Sequence, residues 1–277
     1  MEEFKVCKII AEVASNHMGD MALAKNFIQK SAEAGADYVK FQSSRYEDLV
    51  NHSDVQGEWV KKTSLTDEAH CELIEECKKH HIKFLTTCFS ITRVGFLVSL
   101  GLEEIKVASP DLLSFAMIER LAAQFKHLVI STGMHSIRDI KTAIKFITKN
   151  NINATLLHAV SMYPAPLEKT FMYKFLWLKD HFPRVGYSNH TSDIEAIKFA
   201  MAHGAEIIEA HMKLGIDGPG RVAAWDILPD DFKEIVAYRK TLTELLGDSK
   251  WYVDETFLHP QEQDAQRKFI GRWGDNR

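Results

Sequence analysis

Two kinds of segment alternate along the whole chain, and this alternation limits how the chain can fold more than any other feature. Short runs rich in Val and Ile recur eight times and predict strands at 5–13, 36–41, 82–87, 103–108, 127–132, 153–160, 183–188 and 205–211. The runs lack strict alternation of apolar and polar residues, which is typical of strands covered on both faces of a parallel sheet.

Segments with helical spacing lie between these runs. They predict helices at 20–34, 66–80, 90–101, 114–125, 136–149, 169–181, 191–203 and 229–247. Asp20 and Thr66 are candidate N-caps, and Gly35 follows the first helix. Eight strand–helix pairs predict an α/β fold of the TIM (β/α)8 barrel type. No GxGxxG follows the first strand, which removes the main reason to prefer a dinucleotide-binding sheet.

The chain is interpreted as one domain with a short extension. We assign residues 1–249 to the barrel and residues 250–277 to a C-terminal tail, because the tail has mixed charge and weak periodicity. Two longer connections, 43–65 and 212–228, follow the second and eighth strands. In a barrel both lie over the mouth, where long loops usually contact substrates.

Composition excludes several classes of partner. The chain has 34 Lys and Arg against 38 Asp and Glu and no basic block, which argues against nucleic acid as the main partner. No apolar stretch approaches the ~20 residues of a membrane span, and the charged start shows no signal peptide. We therefore expect a cytoplasmic protein without a membrane partner. The cysteines, Cys7, Cys71, Cys77 and Cys88, are expected to be buried or half-buried free thiols.

Polar side chains gather at the predicted C-terminal ends of the strands, the face that carries active sites in this architecture. One such residue alone is weak evidence, because strands stop where solvent begins. Lys40 and Lys106, however, lie inside apolar strands, and an unpaired buried ammonium is costly. Together with nearby hydroxyls they predict a site for a phosphate or carboxylate. The hydroxyls belong to Thr87, Ser109, Ser131 and Ser188.

Two histidines end neighbouring strands. His190 closes the seventh strand and His211 the eighth, with Glu209 two residues earlier on the same face. Two imidazoles and a carboxylate could hold Mn²⁺, Zn²⁺ or Fe²⁺ and leave coordination positions open. The alternative is that each histidine only forms hydrogen bonds within the barrel. These residues alone predict an anion site beside a metal site and do not select a reaction.

Eight short motifs follow one another with natural spacing. They are AEVASNHMGD (11–20), GADYVKFQ (35–42), FLTTCFS (84–90), IKVAS (105–109), ISTGM (130–134), LLHAVSMYPAP (156–166), GYSNHT (186–191) and IIEAH (207–211). In this set, across about residues 8–235, the chain resembles the sialic acid synthase family. The resemblance implies a transferase that joins phosphoenolpyruvate to a sugar aldehyde, an N-acetylhexosamine or another aldose. The products are a nonulosonate-like 2-keto-3-deoxy sugar acid and phosphate.

The resemblance also implies roles for individual residues. Phosphoenolpyruvate would be held by Lys40, Thr87, Lys106, Ser109 and Ser188. His190 and His211 would bind the metal, expected to be Mn²⁺ with Mg²⁺ or Co²⁺ as alternatives, and Glu209 would support it through water. Glu12 and Tyr163 would face the sugar. We expect Glu12, Lys40, Lys106 and His211 to be catalytic, and we add as substrate-binding residues Gln42, Ser131, Ser161, Lys213 and Arg221.

The chain departs from the family pattern on the acceptor side. Residues 159–161 read Ala-Val-Ser where the family has Cys-Thr-Asn, and Val222 stands where the family has a sugar-binding Asp. Valine cannot replace the hydrogen bonds of a carboxylate to sugar hydroxyls. We therefore expect an acceptor other than plain N-acetylmannosamine. New contacts to an acceptor with negative charge would come from Lys213, Arg221 or Asp226.

Three further expectations follow. The family's C-terminal antifreeze-like domain has no counterpart in the sequence, so we expect this chain to lack it, and the resemblance implies a homodimer. A second enzyme hypothesis is a 2-keto-3-deoxy sugar acid phosphate synthase that uses a phosphorylated aldose, with Arg45, Lys213 and Arg221 as the second phosphate site. A third hypothesis is a barrel that has lost catalysis and serves as a binding or partner subunit.

Overall fold

Eight parallel strands close into a barrel in sequence order, which confirms the predicted (β/α)8 fold. The computed structural model describes residues 7–48, 55–247, 256 and 258–270. The strands are β1 Lys8–Ala14, β2 Tyr38–Ser43, β3 Lys83–Cys88, β4 Glu104–Val107, β5 His127–Ser131, β6 Ala154–Ala159, β7 Val185–Asn189 and β8 Ile207–His211.

Helices connect consecutive strands on the outside of the barrel. They are α1 Met21–Glu33, α2 Val55–Thr63, α3 Asp67–Lys79, α4 Val94–Ser99, α5 Phe115–Ala122, α6 Ile137–Lys149, α7 Met172–His181 and α8 Glu195–Ala202. Two further helices, α9 Pro229–Leu246 and α10 Pro260–Phe269, follow the last strand. Short 3₁₀ turns lie at Tyr46–Asp48, Ile91–Arg93, Ser109–Asp111 and Leu167–Lys169. The predicted caps are confirmed, because Asp20 accepts hydrogen bonds at the start of α1 and Thr66 at the start of α3.

Two of the helices lie where none had been predicted. Helix α2 falls within the connection 43–65, and α10 falls within the tail. A glycine and two valines give α2 weak intrinsic helix propensity. Its tertiary contacts stabilise it instead: Val60 is buried, and Trp59 Nε1 donates to Ser15 Oγ at 3.1 Å. Residues 49–54 of the connection and the predicted boundary at 249–250 lie outside the described residues.

Side chains fill the barrel interior in layers. A buried apolar cluster near the N-terminal ends of the strands consists of Ile10, Tyr38, Leu85, Val129, Leu157 and Ile207. Successive residues of a strand point to opposite faces, so the next inward-pointing layer lies two residues further along each strand. That layer is polar on five of these six strands and contains Glu12, Lys40, Thr87, Ser131 and Glu209. The apolar layer thus supports a set of charged and hydroxyl side chains.

Two expectations from composition can be compared with the structure. All four cysteines are free, as predicted, although Cys71 is exposed rather than buried because it lies on the outer face of α3. Within the part of the chain that the structure describes, no helix is long and apolar enough to cross a membrane.

Candidate active site

A cavity of about 640 Å³ opens at the C-terminal ends of the strands. It brings together most of the predicted site residues, from all eight strands or from the segments that follow them. Those that line it are Glu12, Lys40, Gln42, Thr87, Lys106, Ser109, Ser131, Tyr163, Ser188, His190, Glu209, His211 and Arg221. Ser161 and Lys213 do not line it.

Lys40 is fully buried and lies between two carboxylates. Its Nζ is 3.0 Å from Glu12 Oε2 and 3.1 Å from Glu209 Oε2, and it donates to Thr87 Oγ1 at 3.1 Å. Burial alone would lower the pKa of Lys40, but the two carboxylates outweigh it and raise the pKa above its ordinary value. Lys40 therefore stays charged and already has its counter-ions.

Lys106 is equally buried but has neutral partners. Its Nζ donates to Ser131 Oγ at 2.6 Å and to the Val107 carbonyl at 3.0 Å. No carboxylate among the described residues forms an ion pair with it. Burial is the main cause that lowers the pKa of Lys106 to about 8. The Glu209 charge opposes this shift but forms no ion pair with Lys106, so an incoming anion still adds favourable charge.

The two carboxylates beside Lys40 differ in protonation. Burial raises the pKa of Glu12 to about 7, although Lys40 opposes the shift. Burial also acts to raise the pKa of Glu209, but Lys106 and Lys40 outweigh it and hold that pKa well below its usual range. Ser188 Oγ donates to Glu209 Oε1 at 2.9 Å and further favours the charged form. Glu209 is thus a fixed negative charge, whereas Glu12 can exchange a proton near neutral pH.

The rings of His190 and His211 are neighbours, with centroids 5.6 Å apart. His190 Nδ1 lies 2.6 Å from the Val160 carbonyl. A carbonyl oxygen only accepts, so Nδ1 carries the proton and Nε2 is left with its lone pair. Burial lowers the pKa of both rings, that of His211 to about 3, so both are neutral near pH 7. Neutral imidazoles with a free ring nitrogen are good metal ligands.

The third predicted metal ligand is engaged elsewhere. Glu209 contacts Lys40 and Ser188 through its two oxygens. Across residues 7–48, 55–247, 256 and 258–270, no group of three or more His, Cys, Asp or Glu side chains is arranged to hold a metal ion. The donor set that fits a divalent ion is therefore the pair His190 and His211, with open positions for water or substrate.

Residues 27–251 match the NeuB family. The chain belongs to the NeuB family. An N,N'-diacetyllegionaminic acid synthase of Campylobacter jejuni is 34% identical over 260 residues, which are 87% of this chain and 77% of that protein. A synthase of the same name from Legionella pneumophila is 32% identical over 266 residues, 88% of this chain and 74% of that protein.

A solved structure agrees with these relatives. The N-acetylneuraminic acid synthetase of Leptospira borgpetersenii, in complex with citrate, superposes with a TM-score of 0.84 at 28% identity and covers 96% of this chain and 93% of that one. NeuB-family synthases condense phosphoenolpyruvate with a sugar to make nonulosonic acids, and they are generally metal-dependent. The predicted resemblance is confirmed, and the chain is a phosphoenolpyruvate-condensing transferase.

Two tryptophans of this NeuB-family chain line the cavity and were not among the predicted site residues. Trp59 comes from α2 and Trp225 from the segment 212–228. The Tyr163 ring packs against His190, with centroids 4.3 Å apart, and against Trp225 at 5.1 Å. A tryptophan within a long polar connection over a barrel mouth is the signal that could have identified both residues.

Asp226 differs from the expectation that it contacts the acceptor. It is buried outside the cavity lining, and its Oδ2 accepts from Asn16 Nδ2 at 3.0 Å and from the Ala223 backbone N–H at 2.8 Å. Asn16 Nδ2 also donates to the Met212 carbonyl at 2.9 Å. Asp226 and Asn16 therefore hold the segment 212–228 against the start of the chain rather than facing a substrate.

Three other residues that the sequence predicts to contact a substrate do not line the cavity. They are Ser161, Lys213 and Arg45. Ser161 lies beside Gly133, where a Cβ would come within 2.5 Å of Ser161 Oγ. The Gly133 N–H in turn donates to Ser109 Oγ at 3.0 Å. The Lys213 backbone N–H donates to the Ile227 carbonyl beside β8. Arg45 forms an ion pair with Asp48 at 3.1 Å and does not line the cavity, so a second phosphate site built on Arg45 is not supported.

Proposed function

We propose that this barrel condenses phosphoenolpyruvate with a sugar aldehyde in the 640 Å³ cavity and releases phosphate. The observation that carries the proposal is the presence, in one cavity, of a buried Lys106 that no carboxylate of the described residues pairs with and of two neutral histidines. The buried charge of Lys106 favours an anionic substrate, and the histidine pair fits a metal beside that substrate.

Phosphoenolpyruvate carries a phosphate and a carboxylate, and the cavity offers cationic and hydroxyl donors for both. Lys106 and Ser131, already joined by a hydrogen bond, would bind one anionic group. Ser109, whose Oγ is oriented by the Gly133 N–H, and Ser188 are further donors. Lys40 would keep the Glu12 and Glu209 carboxylates from repelling the substrate, because it neutralises part of their charge.

The proposed reaction forms one carbon–carbon bond and breaks one carbon–oxygen bond. Carbon 3 of phosphoenolpyruvate bonds to the aldehyde carbon, and the aldehyde oxygen takes up a proton. Water adds at carbon 2 and loses a proton, and phosphate leaves with its bridging oxygen. Glu12 is suited to exchange these protons, because burial raises its pKa to about 7. Lys40 and Lys106 stabilise the phosphate and carboxylate charge as it redistributes.

A divalent metal at His190 and His211 would act as a Lewis acid that polarises the acceptor aldehyde. We propose Mn²⁺, with Mg²⁺ or Co²⁺ as alternatives, as the resemblance to the sialic acid synthase family implies. Oxygen atoms of water and substrate would complete the coordination. The low pKa of both rings supports this role, because neither ring needs to lose a proton before binding a metal.

The proposed acceptor is an N-acetylhexosamine or a related aldose. The N,N'-diacetyllegionaminic acid synthases among its relatives make products of this nonulosonate class. The exposed Val222 provides no hydrogen bond to a sugar hydroxyl. The acceptor is therefore proposed to differ from plain N-acetylmannosamine.

The test is phosphate release from phosphoenolpyruvate with Mn²⁺ or EDTA, across aldoses, N-acetylhexosamines and their phosphates. We expect release that requires both a metal and one class of acceptor, and we expect Lys106→Met and His211→Ala to abolish it. Lys126→Met is the matched control, because Lys126 is an exposed lysine whose Nζ pairs with Glu103 Oε1 and which does not line the cavity. Thermal unfolding checks that each variant is folded. Absence of release, together with absence of phosphoenolpyruvate binding by calorimetry, would contradict the proposal.

A further inference from the structure

We propose that Arg221 determines acceptor specificity by binding an anionic group, a phosphate or a carboxylate, on the acceptor sugar. The inference rests on the proposed function, since it concerns the second substrate of the same cavity. Arg221 is exposed and lines this cavity, whereas Lys40 and Lys106 are buried in it.

The guanidinium of Arg221 lies between two indole rings. Its Cζ is 5.3 Å from the ring centroid of Trp59 and 5.4 Å from that of Trp225. Aromatic faces attract a guanidinium and partly shield it from water, while the in-plane N–H groups stay available as donors. In the part of the chain that the structure describes, no carboxylate forms an ion pair with Arg221. The charge and the donors are therefore free for a ligand.

The backbone holds Arg221 in this position. Its N–H donates to the Asn16 carbonyl at 3.1 Å. Gly220 has φ +90°, and a Cβ there would lie 2.2 Å from the same carbonyl, so only glycine allows this close approach. Asp226, further along the segment 212–228, accepts a hydrogen bond from the Asn16 side chain and so ties the segment to the same residue. A side chain on a segment anchored in this way is preorganised to bind a ligand.

The charges around the cavity leave Arg221 as the cation for the acceptor. Lys40 is already paired with Glu12 and Glu209, and Lys106 is committed to phosphoenolpyruvate in the proposed function. Arginine donates two parallel hydrogen bonds to a phosphate or carboxylate, which gives geometric selectivity as well as affinity. Recognition of the acceptor by its charge also explains why Val222 can stand where the family has an Asp. Such an acceptor does not need that carboxylate to bind its hydroxyl groups.

The test is equilibrium binding by calorimetry with three probes of the same sugar frame. They are N-acetylmannosamine, its 6-phosphate and the corresponding uronic acid, each measured with phosphoenolpyruvate and EDTA present so that no turnover occurs. We expect wild type to bind at least one anionic probe more tightly than the neutral sugar. Arg221→Ala should weaken that binding by roughly tenfold or more, and Arg221→Lys should weaken it less, because lysine keeps the charge without the planar fork. Comparison of the two anionic probes separates phosphate from carboxylate recognition.

Lys62→Ala is the matched control, since it removes an exposed charge of α2 that does not line the cavity. It should bind every probe as wild type does. Equal binding of the anionic probe by wild type and Arg221→Ala would overturn the inference, as would wild-type preference for the neutral sugar or no binding of either anion. Loss of anion binding in Arg221→Ala, without phosphate release from any wild-type mixture, would support anion binding by Arg221 and contradict the proposed function.

Discussion

Two buried lysines of one cavity differ in pKa because different groups contact them. Lys40 has two carboxylate partners and is held in its charged form, whereas Lys106 has a hydroxyl and a carbonyl and a pKa lowered to about 8. The same side-chain type thus serves once as a counter-ion within the protein and, as we propose, once as a receptor for substrate charge.

The lowered pKa of Lys106 predicts a pH dependence. Below about pH 8 the free protein holds Lys106 charged, and above it the proton is lost, so anion binding weakens as the pH rises. We expect kcat/KM for phosphoenolpyruvate to fall by about tenfold per pH unit on this alkaline side. The measurement is the initial rate between about pH 6 and about pH 10 at constant ionic strength. Arginine stays charged over this range, so an active Lys106→Arg variant should lose the alkaline decline. A wild-type profile that stays flat to pH 10 would be evidence against this role of Lys106.

Among the elements, the segment between β8 and α9 departs most from its family pattern. Asn16 and Asp226, 210 residues apart in sequence, are joined by the hydrogen bond that anchors it. The anchored segment presents Arg221 and Trp225 to the cavity. We therefore propose that specificity for the acceptor depends on this buried polar pair, which does not line the cavity.

Removal of this hydrogen bond should weaken binding of the acceptor without affecting binding of phosphoenolpyruvate. Asp226→Ala leaves the Asn16 amide and the Ala223 N–H without their acceptor, at a cost of about 1–3 kcal/mol. We expect urea unfolding to show this loss, and we expect KM for the acceptor to rise while KM for phosphoenolpyruvate stays unchanged. Asp226→Asn retains an oxygen that can accept both hydrogen bonds and should be milder. An unchanged acceptor KM in Asp226→Ala would show that the anchor does not control the segment.

The elements also show which parts of the fold the sequence could predict. Each predicted strand overlaps an observed one, because strands buried on both faces must be apolar wherever they occur. Helix α2 was missed, since the buried Val60 and the Trp59–Ser15 contact stabilise it rather than its own propensity. The role of Asp226 was missed for a related reason, because a contact across 210 residues leaves no local pattern. The residues predicted to bind phosphoenolpyruvate line one cavity. The two lysines among them could be predicted because charges inside apolar strands are visible in the local sequence.

At the scale of the molecule, the two ends of the barrel carry different networks. At the N-terminal end, Glu104 Oε1 accepts from Lys8 Nζ at 3.0 Å and from His127 Nδ1 at 3.2 Å. Lys8 Nζ also lies 3.2 Å from the Tyr38 hydroxyl, below the apolar layer of the barrel. Polar clusters at this face of such barrels serve stability, whereas the opposite face serves catalysis.

A substitution in this network should therefore lower the free energy of unfolding without changing catalysis. Hydrogen bonds from His127, Tyr38 and Lys8 outweigh burial and lower the pKa of Glu104 below its ordinary value of 4.5. The stabilisation is present above that value and is lost as the pH falls through the lower folded-state pKa. Glu104→Gln should reduce the free energy of unfolding by about 1–2 kcal/mol near pH 7, with a smaller difference in acid and no change in kcat. A large loss of kcat with unchanged stability would contradict this division of the barrel.

The whole molecule is assigned to condensation rather than to hydrolysis of phosphoenolpyruvate, and oxygen labelling distinguishes the two. The most direct measurement is turnover with the active acceptor in ¹⁸O-labelled water, followed by mass spectrometry of both products. We predict unlabelled phosphate, because the bridging oxygen leaves with it, and an acid that contains the acceptor plus three carbons from phosphoenolpyruvate. Labelled phosphate, or pyruvate with unchanged sugar, would contradict the condensation proposed for this cavity.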